Sequence, residues 1–363
     1  MKSIYFLTYD LSTGGTEKVV VYLANYFASK NNKVTLLTVF STNDLKHIID
    51  PKIEVVSFNQ KKISNFILPF LSYVKKKKID CLISNVWPLT VISSFVFLFK
   101  RNAKLLLVDH CVLEEEFRKK NYLFKLFQNI SIKIFYRFCD AVVGVSGGVK
   151  NDLITKGVKP SKITVIYNPL PEVEVKQITN QAKDVDEWLN SSCKKIISVG
   201  RLKKEKNIPN LIKAITAYKK RYSSEIKVLI VGDGEEKKAI ESLVEKEDLR
   251  KDIFVPGWMK DPLPYINKAD LLVLSSDYEG FGLVIAEALS VGTTVVSTDC
   301  ISGPKEILKD GELGYLCKTN DPEDLAKAIN KGLRQPLDKD KLISRAKDFS
   351  LMKIGREYEK LIF

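Results

Sequence analysis

The sequence predicts an α/β protein built from two doubly wound, Rossmann-like domains. Three observations lead to this fold class. Short β-branched runs alternate with helix-length segments through the first half of the chain, as they do around a parallel sheet. The alternation breaks down between residues 171 and 193 and then resumes as far as residue 298. A chain of 363 residues is also long enough for two hydrophobic cores.

The first domain is predicted at residues 1–170, with strands in SIYFLT, VTLLTVF, IEVVSF, DCLIS, KLLLV, DAVVGV and ITVI. Residues 171–193 are polar and weakly periodic, and we interpret them as an interdomain linker. The second domain is predicted at residues 194–348, with strands in KIISVG, IKVLIV, DIFV, DLLVL and TTVVST. Residues from 321 onward are charged and helical, and 349–363 form the last helix.

The composition is typical of a soluble globular protein, with 45% hydrophobic and 28% charged residues. The six cysteines are widely spread and form no C-x-x-C pair, which argues against a disulfide scaffold and suits a reducing cytoplasm. The N-terminus does not resemble a secretory signal, and no uncharged apolar run approaches the roughly 20 residues that cross a bilayer. We therefore expect a cytoplasmic protein.

The net charge of +14 lies almost entirely in the predicted first domain. Residues 1–170 contain 25 Lys and Arg against 12 Asp and Glu, whereas the remainder contains 33 against 32. A one-sided basic excess is typical of a protein with an anionic partner. Nucleic acid and an anionic membrane surface are the two candidates.

The segment DYEGFGLVIAEALSVGTTVVST, residues 277–298, follows a predicted strand and opens with a glycine turn. A strand, a glycine turn and a helix supply the backbone N–H groups of an anion site and leave space for a phosphate. Glu279 would stand at the strand's end and Glu287 within the helix, so that one binds sugar hydroxyls and the other ribose hydroxyls. The alternative is an ordinary capped connection with solvated glutamates.

Cations follow another strand of the second domain. Gly200 ends the strand KIISVG, Arg201 follows it, and Lys206 precedes a helix that starts near Ile208. The guanidinium could hold a diphosphate in bidentate fashion, and the ammonium could act as a point charge. For the lysines, a solvated loop is the alternative.

Two more turns in this domain follow strands. The run IVGDGEE places Gly232 and Gly234 between a strand and a helix, and Gly257 follows DIFV. Trp258 and Met259 come next, where they are available to flank a nucleotide base. Packing within the domain is the alternative for these two side chains.

In the first domain, Gly14 and Gly15 separate the first strand from its helix, where missing side chains let a ligand approach the helix N-terminus. The turn lacks the G-x-G-x-x-G pattern, so we do not expect NAD to bind. His110 follows Asp109 at the carboxyl end of KLLLV and faces the predicted ligand crevice, where we expect it to function. His47 lies in a polar connection and is assigned no role.

Two motifs are rejected as catalytic. The G-x-S-x-G pattern around Ser146 matches a hydrolase nucleophile elbow, but both histidines precede it, so the triad cannot form in that order. We interpret Ser146 as a helix N-cap. The D-x-D pairs at 184–186 and 338–340 lie in polar connections rather than after a strand, and we expect no catalytic metal.

Taken together, these residues resemble glycosyltransferase family 4, retaining enzymes of the GT-B fold. The resemblance covers the whole chain in order, and Gly-Gly-Thr-Glu at 14–17 stands where the family usually has Gly-Gly-Ala-Glu. The glutamates of EGFGLVIAEAL, with the arginine and lysine upstream, are its most specific part. The resemblance implies two Rossmann-like domains facing across a cleft, with residues 349–363 crossing back to the first domain.

The resemblance also implies the site residues. Arg201 and Lys206 would bind the donor's diphosphate and stabilise the leaving nucleotide. Glu279 would contact the donor sugar and phosphates, and His110 would hydrogen-bond the sugar near the reacting carbon. A donor-binding set completes the site: Gly15, Gly200, Gly234, Met259, Gly280, Phe281, Gly282, Leu283 and Glu287. The resemblance implies transfer with retention by front-face attack, which requires no enzymic nucleophile. A nucleotide diphosphate sugar is the expected co-substrate, and we expect no other cofactor and no catalytic metal.

Three stretches of the first domain interleave aromatic and aliphatic residues with Lys and Arg: SNFILPFLSYVKKKK, SSFVFLFKRNAK and FRKKNYLFKLFQNISIKIFYRF. Such stretches bind anionic membrane surfaces, although each one alone also fits a core-facing helix with solvated lysines. We therefore expect a peripheral protein on the inner face of the membrane.

The leading hypothesis is transfer of a hexose or N-acetylhexosamine from a nucleotide diphosphate sugar to a lipid-linked saccharide, with a UDP sugar as the expected donor. A nucleotide-sugar epimerase or a phosphorylase of the same fold is one alternative, but the sequence offers neither extra acid/base residues nor a site for pyridoxal phosphate. A basic nucleic-acid-binding protein is the other alternative. It leaves the two glutamates unexplained and lacks an RNA-binding aromatic motif.

Overall fold

The computed structural model describes residues 1–100, 102–178, 183–222 and 224–363. These residues form two compact units, of which the first is Met1–Pro171 with Phe349–Phe363 and the second is Glu172–Asp348. Arg101, in one of the basic stretches, and residues 179–182 of the predicted linker lie outside the described residues.

The described part of the first unit contains one sheet of seven parallel strands. Most of them are buried along nearly their whole length, as expected for a sheet with helices on both faces. The strands are β1 (Ser3–Thr8), β2 (Lys33–Thr38), β3 (Glu54–Ser57), β4 (Cys81–Asn85), β5 (Lys104–Asp109), β6 (Ala141–Gly144) and β7 (Ile163–Val165). They lie in the order β3-β2-β1-β4-β5-β6-β7.

This order reverses direction between β1 and β4, and ligands of such sheets bind outside the carboxyl ends of the strands at that point. The register aligns Leu7 with Ser84 and Asn85 with Val108. The ends of β1, β4 and β5 therefore meet at one edge of the sheet, where Asn85 and His110 lie.

Six helices of the first unit precede its final segment in the described residues. They are α1 (Gly15–Ser29), α2 (Ile67–Lys76), α3 (Leu89–Phe97), α4 (Leu113–Glu116), α5 (Tyr122–Phe135) and α6 (Gly147–Thr155). Short 3-10 turns lie at Asp44–Ile48, Ile63–Phe66, Tyr136–Phe138 and Pro160–Lys162. The predicted cap of α6 is confirmed, because Ser146 Oγ accepts a hydrogen bond from the Val149 N–H at 3.3 Å.

The second unit has a sheet of six parallel strands in the part of the chain that the structure describes. They are β8 (Lys194–Val199), β9 (Ile226–Val231), β10 (Ile253–Gly257), β11 (Leu271–Leu274), β12 (Val295–Thr298) and β13 (Tyr315–Cys317). Their order is β10-β9-β8-β11-β12-β13, with the reversal between β8 and β11. The sequence did not predict β13, which has only three residues at the sheet's edge.

The helices of the second unit are α7 (Lys183–Asn190), α8 (Ile208–Tyr222), α9 (Lys237–Lys246), α10 (Leu263–Lys268), α11 (Leu283–Ser290), α12 (Pro304–Ile307), α13 (Pro322–Arg334) and α14 (Lys339–Ala346). Short 3-10 turns lie at Lys204–Lys206, Lys309–Gly311 and Lys347–Phe349. Asp321 and Asp338 cap α13 and α14 by accepting backbone N–H groups at 2.9 Å. Helices α8 and α13 cover one face of the sheet and share its apolar core.

The segment predicted as a linker is partly an ordered piece of the second unit. Helix α7 packs against β9 and β10, and its Trp188 is fully buried. The indole Nε1 donates to the Ile196 carbonyl at 3.3 Å and to the Lys227 carbonyl at 3.2 Å. The segment looked like a polar linker in sequence because a single large side chain, Trp188, anchors α7 to the sheet.

The last helix, α15 (Leu351–Ile362), belongs to the first unit, as predicted. The Leu351 N–H donates to the Leu170 carbonyl at 2.7 Å, where the chain returns. Helix α15 then packs on α1, and Tyr26 Oη donates to Glu359 Oε1 at 3.1 Å. Only glycine fits at Gly355, since a Cβ there would lie 2.4 Å from the Tyr26 ring.

Candidate active site

The second unit concentrates polar groups at its strand reversal. Gly200 and Arg201 follow β8, and Ser275 to Glu279 follow the neighbouring strand β11. A cavity of about 10 Å³ at this edge, large enough for one water molecule, is lined by Gly200, Arg201, Lys206 and Ser275, among others. The predicted cations of the β8 loop therefore lie beside the end of β11.

Lys206 and Glu279 form a direct ion pair. Lys206 Nζ lies 2.6 Å from Glu279 Oε1, and Ser276 Oγ donates to the same oxygen at 2.7 Å. Glu279 is only 8% exposed. A buried carboxylate needs such partners, so the pair fixes the position of the ammonium group as well as its own.

The backbone around Lys206 is also held in place. Asn207 adopts a left-handed conformation with φ of 44°, and its Nδ2 donates to Asp277 Oδ1 and Asn320 Oδ1, both at 2.7 Å. Ser275 Oγ donates to the Lys206 carbonyl at 2.9 Å. Sequence reasoning missed Asn207, although an asparagine directly before a helix is a common N-cap, and its Oδ1 accepts from the Asn210 N–H at 3.3 Å.

The glycine turn after Glu279 leads into α11 as predicted. Gly282 has φ of 92° and stands at the N-cap of α11, where a glycine has no side chain to accept from the first N–H groups. Phe281 is buried, and its carbonyl approaches Gly303 so closely that a Cβ there would lie 2.1 Å away. A helix N-terminus with a glycine cap is suited to bind a phosphate.

Backbone hydrogen bonds connect the turns after β8, β9 and β10 along the same edge of the sheet. The Gly200 N–H donates to the Val231 carbonyl at 3.0 Å, and the Gly232 N–H donates to the Gly257 carbonyl at 2.9 Å. A Cβ at Gly232 would lie 1.9 Å from the Gly200 oxygen, so no other residue fits there. This close packing fixes the position of the loop after β8, which carries Arg201, relative to the turns after β9 and β10.

Four predicted residues stand at this edge outside the ion pair. Arg201 and Gly234 are exposed, and Met259 is half-buried after β10. Glu287 is half-buried, one turn into α11, with its carbonyl accepting from Ser290 Oγ at 2.6 Å. Trp258, beside Met259, is 52% exposed and therefore not a packing residue of the unit's core.

In the first unit, His110 is buried at the end of β5. The Asn85 side chain fixes its tautomer. Asn85 Nδ2 donates to the Leu7 carbonyl at 3.0 Å, so Asn85 Oδ1 faces His110 Nε2 at 2.9 Å and accepts a hydrogen bond from its N–H. Burial lowers the pKa of His110 to about 3. The ring is therefore neutral, and its Nδ1 acceptor has no partner among the described residues.

Asp109 precedes His110 and points elsewhere. Tyr136 Oη donates to Asp109 Oδ2 at 2.9 Å, and Thr90 Oγ1 lies 2.8 Å from the same phenol oxygen. Burial raises the pKa of Asp109 to about 7. Asn85 orients His110, and sequence reasoning missed it. Asn85 is the last residue of the buried strand β4.

Gly15 is the first residue of α1. A Cβ built on it meets no atom of the described residues within 4 Å, so its surroundings are open. The described residues contain no group of three or more His, Cys, Asp and Glu side chains that could hold a metal ion.

Two family models match successive parts of the chain. Residues 13–172 match Glycosyltransferase Family 4, and residues 180–349 match Glycosyl transferases group 1. The chain is 28% identical, over its full length and that of its relative, to the N-acetylgalactosamine-N,N'-diacetylbacillosaminyl-diphospho-undecaprenol 4-alpha-N-acetylgalactosaminyltransferase of Campylobacter jejuni.

Solved structures share the fold. Anabaena Alr3699/HepE in complex with UDP and glucose superposes with a TM-score of 0.79 at 19% identity, over 99% of both chains. Sucrose-phosphate synthase of Thermosynechococcus elongatus gives 0.82 at 20% identity, over 99% of this chain and 98% of that one. The predicted fold is therefore confirmed as GT-B. With its two matched domains, the chain belongs to the glycosyltransferases, family 4 in its first domain and group 1 in its second.

Proposed function

We propose that this glycosyltransferase moves a hexose or N-acetylhexosamine from a UDP sugar to a lipid-linked saccharide in bacterial polysaccharide or glycan assembly. The Campylobacter relative, which is named for transfer to a saccharide on diphospho-undecaprenol, supports the acceptor. The complex of Anabaena Alr3699/HepE with UDP and glucose supports the donor.

The observation that carries the proposal is the fixed cation at the strand reversal of the second sheet. Lys206 Nζ lies 2.6 Å from Glu279 Oε1, Arg201 belongs to the same loop, and Glu279 takes only one of the three donor hydrogens of the Lys206 ammonium. Both cations would bind the diphosphate and stabilise the negative charge on the leaving nucleotide. The N-terminus of α11, at Gly282 and Leu283, would add backbone N–H groups of the right polarity.

The remaining roles concern the sugar and the nucleoside. Glu279 and Glu287 would accept hydroxyl protons of the donor sugar and the ribose, and Met259 would flank the base. His110, neutral and with a bare Nδ1 acceptor, would accept a hydrogen bond from a sugar hydroxyl. Gly15 would let a phosphate lie against the start of α1.

The mechanism we propose is retaining and metal-independent. Positive side chains and a helix N-terminus supply the charge stabilisation that a metal supplies elsewhere. The acceptor hydroxyl would attack on the face from which the nucleotide leaves, so no enzymic nucleophile is required.

We further propose a peripheral location on the inner face of the membrane, with an anionic lipid surface as partner. The basic excess of residues 1–170 supports this location. Within the residues that the structure describes, no helix combines the length and the apolar character needed to cross a bilayer.

A transfer assay tests the proposal. A panel of radiolabelled nucleotide sugars is incubated with the full chain and polyprenyl-diphosphate saccharides, with and without EDTA, and the product's anomeric configuration is read by NMR. We expect a retained anomer from a UDP sugar in EDTA. Arg201→Ala should abolish transfer, and Lys204→Ala, in the same loop, should not. An epimerised nucleotide sugar or a sugar phosphate as product would instead establish the epimerase or phosphorylase alternative.

A further inference from the structure

Helix α5 exposes many apolar side chains. The most exposed are Tyr122 at 75%, Leu123 at 71% and Phe127 at 64%. Its buried side chains are Ile132 and the polar Gln128 and Ser131. A helix of a globular protein normally turns its apolar side to the core, so this outward face is not explained by folding.

The inner side of α5 is held by polar contacts. Trp87 Nε1 donates to Ser131 Oγ at 3.2 Å. The buried Lys156 ammonium donates to Asn129 Oδ1 and Glu114 Oε2, each at 3.2 Å. These bonds orient α5 from beneath, and its outer side chains take no part in them.

Helix α3 continues the same surface. Phe95, Leu98 and Phe99 are exposed, whereas Ser93 and Ser94 are buried. The Phe95 ring lies 5.8 Å from the ring of Phe99 and 6.2 Å from that of Phe135 on α5. We define the apolar face as the exposed residues of both helices and the turn after α5: Phe95, Leu98, Phe99, Tyr122, Leu123, Leu126, Phe127, Ile130, Ile134 and Phe138.

Cations and no carboxylates accompany the apolar face in sequence. Residues 89–104 and 122–138 contain Lys and Arg but no Asp or Glu. Lys133 and Arg137 are exposed on and just beyond α5, and Lys75 Nζ lies 5.8 Å from the Phe99 ring centroid. An apolar surface bordered by cations is complementary to an anionic lipid bilayer.

We propose that the apolar face inserts into the boundary between lipid headgroups and acyl chains, with α5 parallel to the membrane plane. At 14 residues α5 is about 21 Å long, suitable for lying in the interface. A second copy fits less well, because a two-fold contact would bring identical cationic borders together. Nucleic acid fits less well because the face presents hydrocarbon to the solvent. The proposal says which surface of the protein would bind the membrane named under the proposed function. It rests on the side chains of the apolar face and not on the transferase activity.

The experiment measures binding of the full chain to vesicles by flotation, without any nucleotide sugar, so that a failed transferase assignment does not affect it. Vesicles of phosphatidylcholine with and without phosphatidylglycerol are compared at low and high salt. We expect binding that requires phosphatidylglycerol and partly survives high salt. Leu123→Ser with Phe127→Ser should lower the partition coefficient at least tenfold. Met352→Ser, at a 44% exposed position of α15, is the matched control.

A second readout tests insertion directly. Phe127→Trp should be quenched by lipids brominated on the acyl chain, whereas Met352→Trp should show only the background quenching of the native tryptophans. Binding that disappears at high salt and is unchanged in the double variant would overturn the proposal. So would a dimer in solution that the double variant dissociates, because the apolar face would then bind a second copy.

Discussion

Lys206 Nζ lies 2.6 Å from Glu279 Oε1, and this contact joins the loop after β8 to the loop after β11 across the strand reversal of the second sheet. The two residues are 73 positions apart in sequence. Their contact turns two separate loop features into one site with a fixed cation.

From this contact we expect Lys206→Ala to have two separate effects, one on turnover and one on stability. Turnover should fall about 10²–10³-fold, since a charge that stabilises the leaving group is lost. The free energy of unfolding should fall by about 1–3 kcal/mol, because Glu279 stays buried with one partner fewer. Steady-state kinetics and denaturant unfolding measure the two effects, with Lys204→Ala as control. Unchanged turnover with lowered stability would make the ion pair purely structural.

Asn207 is predicted to position Lys206 through both its backbone and its side chain. Asn207→Gly keeps the left-handed backbone but removes the bonds to Asp277 and Asn320, and we expect kcat to fall about tenfold with a smaller change in KM for the donor. Asn207→Ala should be worse, since it adds backbone strain of about 1 kcal/mol. Equal kinetics in Asn207→Gly and the parent protein would show that only the backbone matters.

Gly15 and Gly232 are predicted to respond to alanine in opposite ways. Gly15→Ala should leave the melting temperature unchanged, because its Cβ meets nothing in the described residues, but should weaken donor binding if a phosphate lies there. Gly232→Ala should destabilise the second unit by about 1–3 kcal/mol or more, because its Cβ would clash with the Gly200 oxygen. Thermal unfolding and donor titration of both variants check this. Normal donor affinity in Gly15→Ala would remove Gly15 from the site.

Asp109 predicts a pH dependence of stability. Its pKa is raised from 3.8 to about 7, so the folded chain holds a proton that the unfolded chain releases. Its contribution to stability is therefore lost as pH rises through this window, by about 1.4 kcal/mol per pH unit. Asp109→Asn should lack this loss.

The measurement is the difference in unfolding free energy between Asp109→Asn and the parent protein from pH 4 to 7. His110 contributes oppositely, since its folded pKa is lowered, but it is present in both proteins and cancels in the difference. Parallel stability curves would show that Asp109 is ionised in the folded chain throughout.

The fold could be predicted from the sequence where its strands are apolar enough to be recognised. Both sheets, the boundary near residue 171 and the return of the last helix were predicted. Helix α7 and strand β13 were missed, because a polar helix anchored by Trp188 and a three-residue edge strand leave almost no periodic signal. Base-binding and sugar-binding roles for Met259 and Glu287 stay predictions.

The residue positions of the site were only partly predicted, because sequence shows residue types at strand ends but not contacts between distant segments. Glycine turns and charged residues at strand ends are visible in sequence, so the positions of Arg201, Lys206 and Glu279 at strand ends were predicted, and their roles in donor binding stay predictions. The ion pair itself and the orienting residues Asn85 and Asn207 depend on contacts between distant segments. The stretch that contains α5 was singled out in the sequence, but which of its apolar side chains are exposed was not, since periodicity shows an apolar stripe but not which way it faces.

Calorimetric titration of the full chain with UDP sugars in EDTA tests the central claim most directly. The account predicts binding of a UDP sugar that persists in EDTA, disappears in Arg201→Ala, is weakened in Lys206→Ala, and is retained in Lys204→Ala. Absence of binding to every nucleotide sugar, or binding indifferent to both site substitutions, would contradict it.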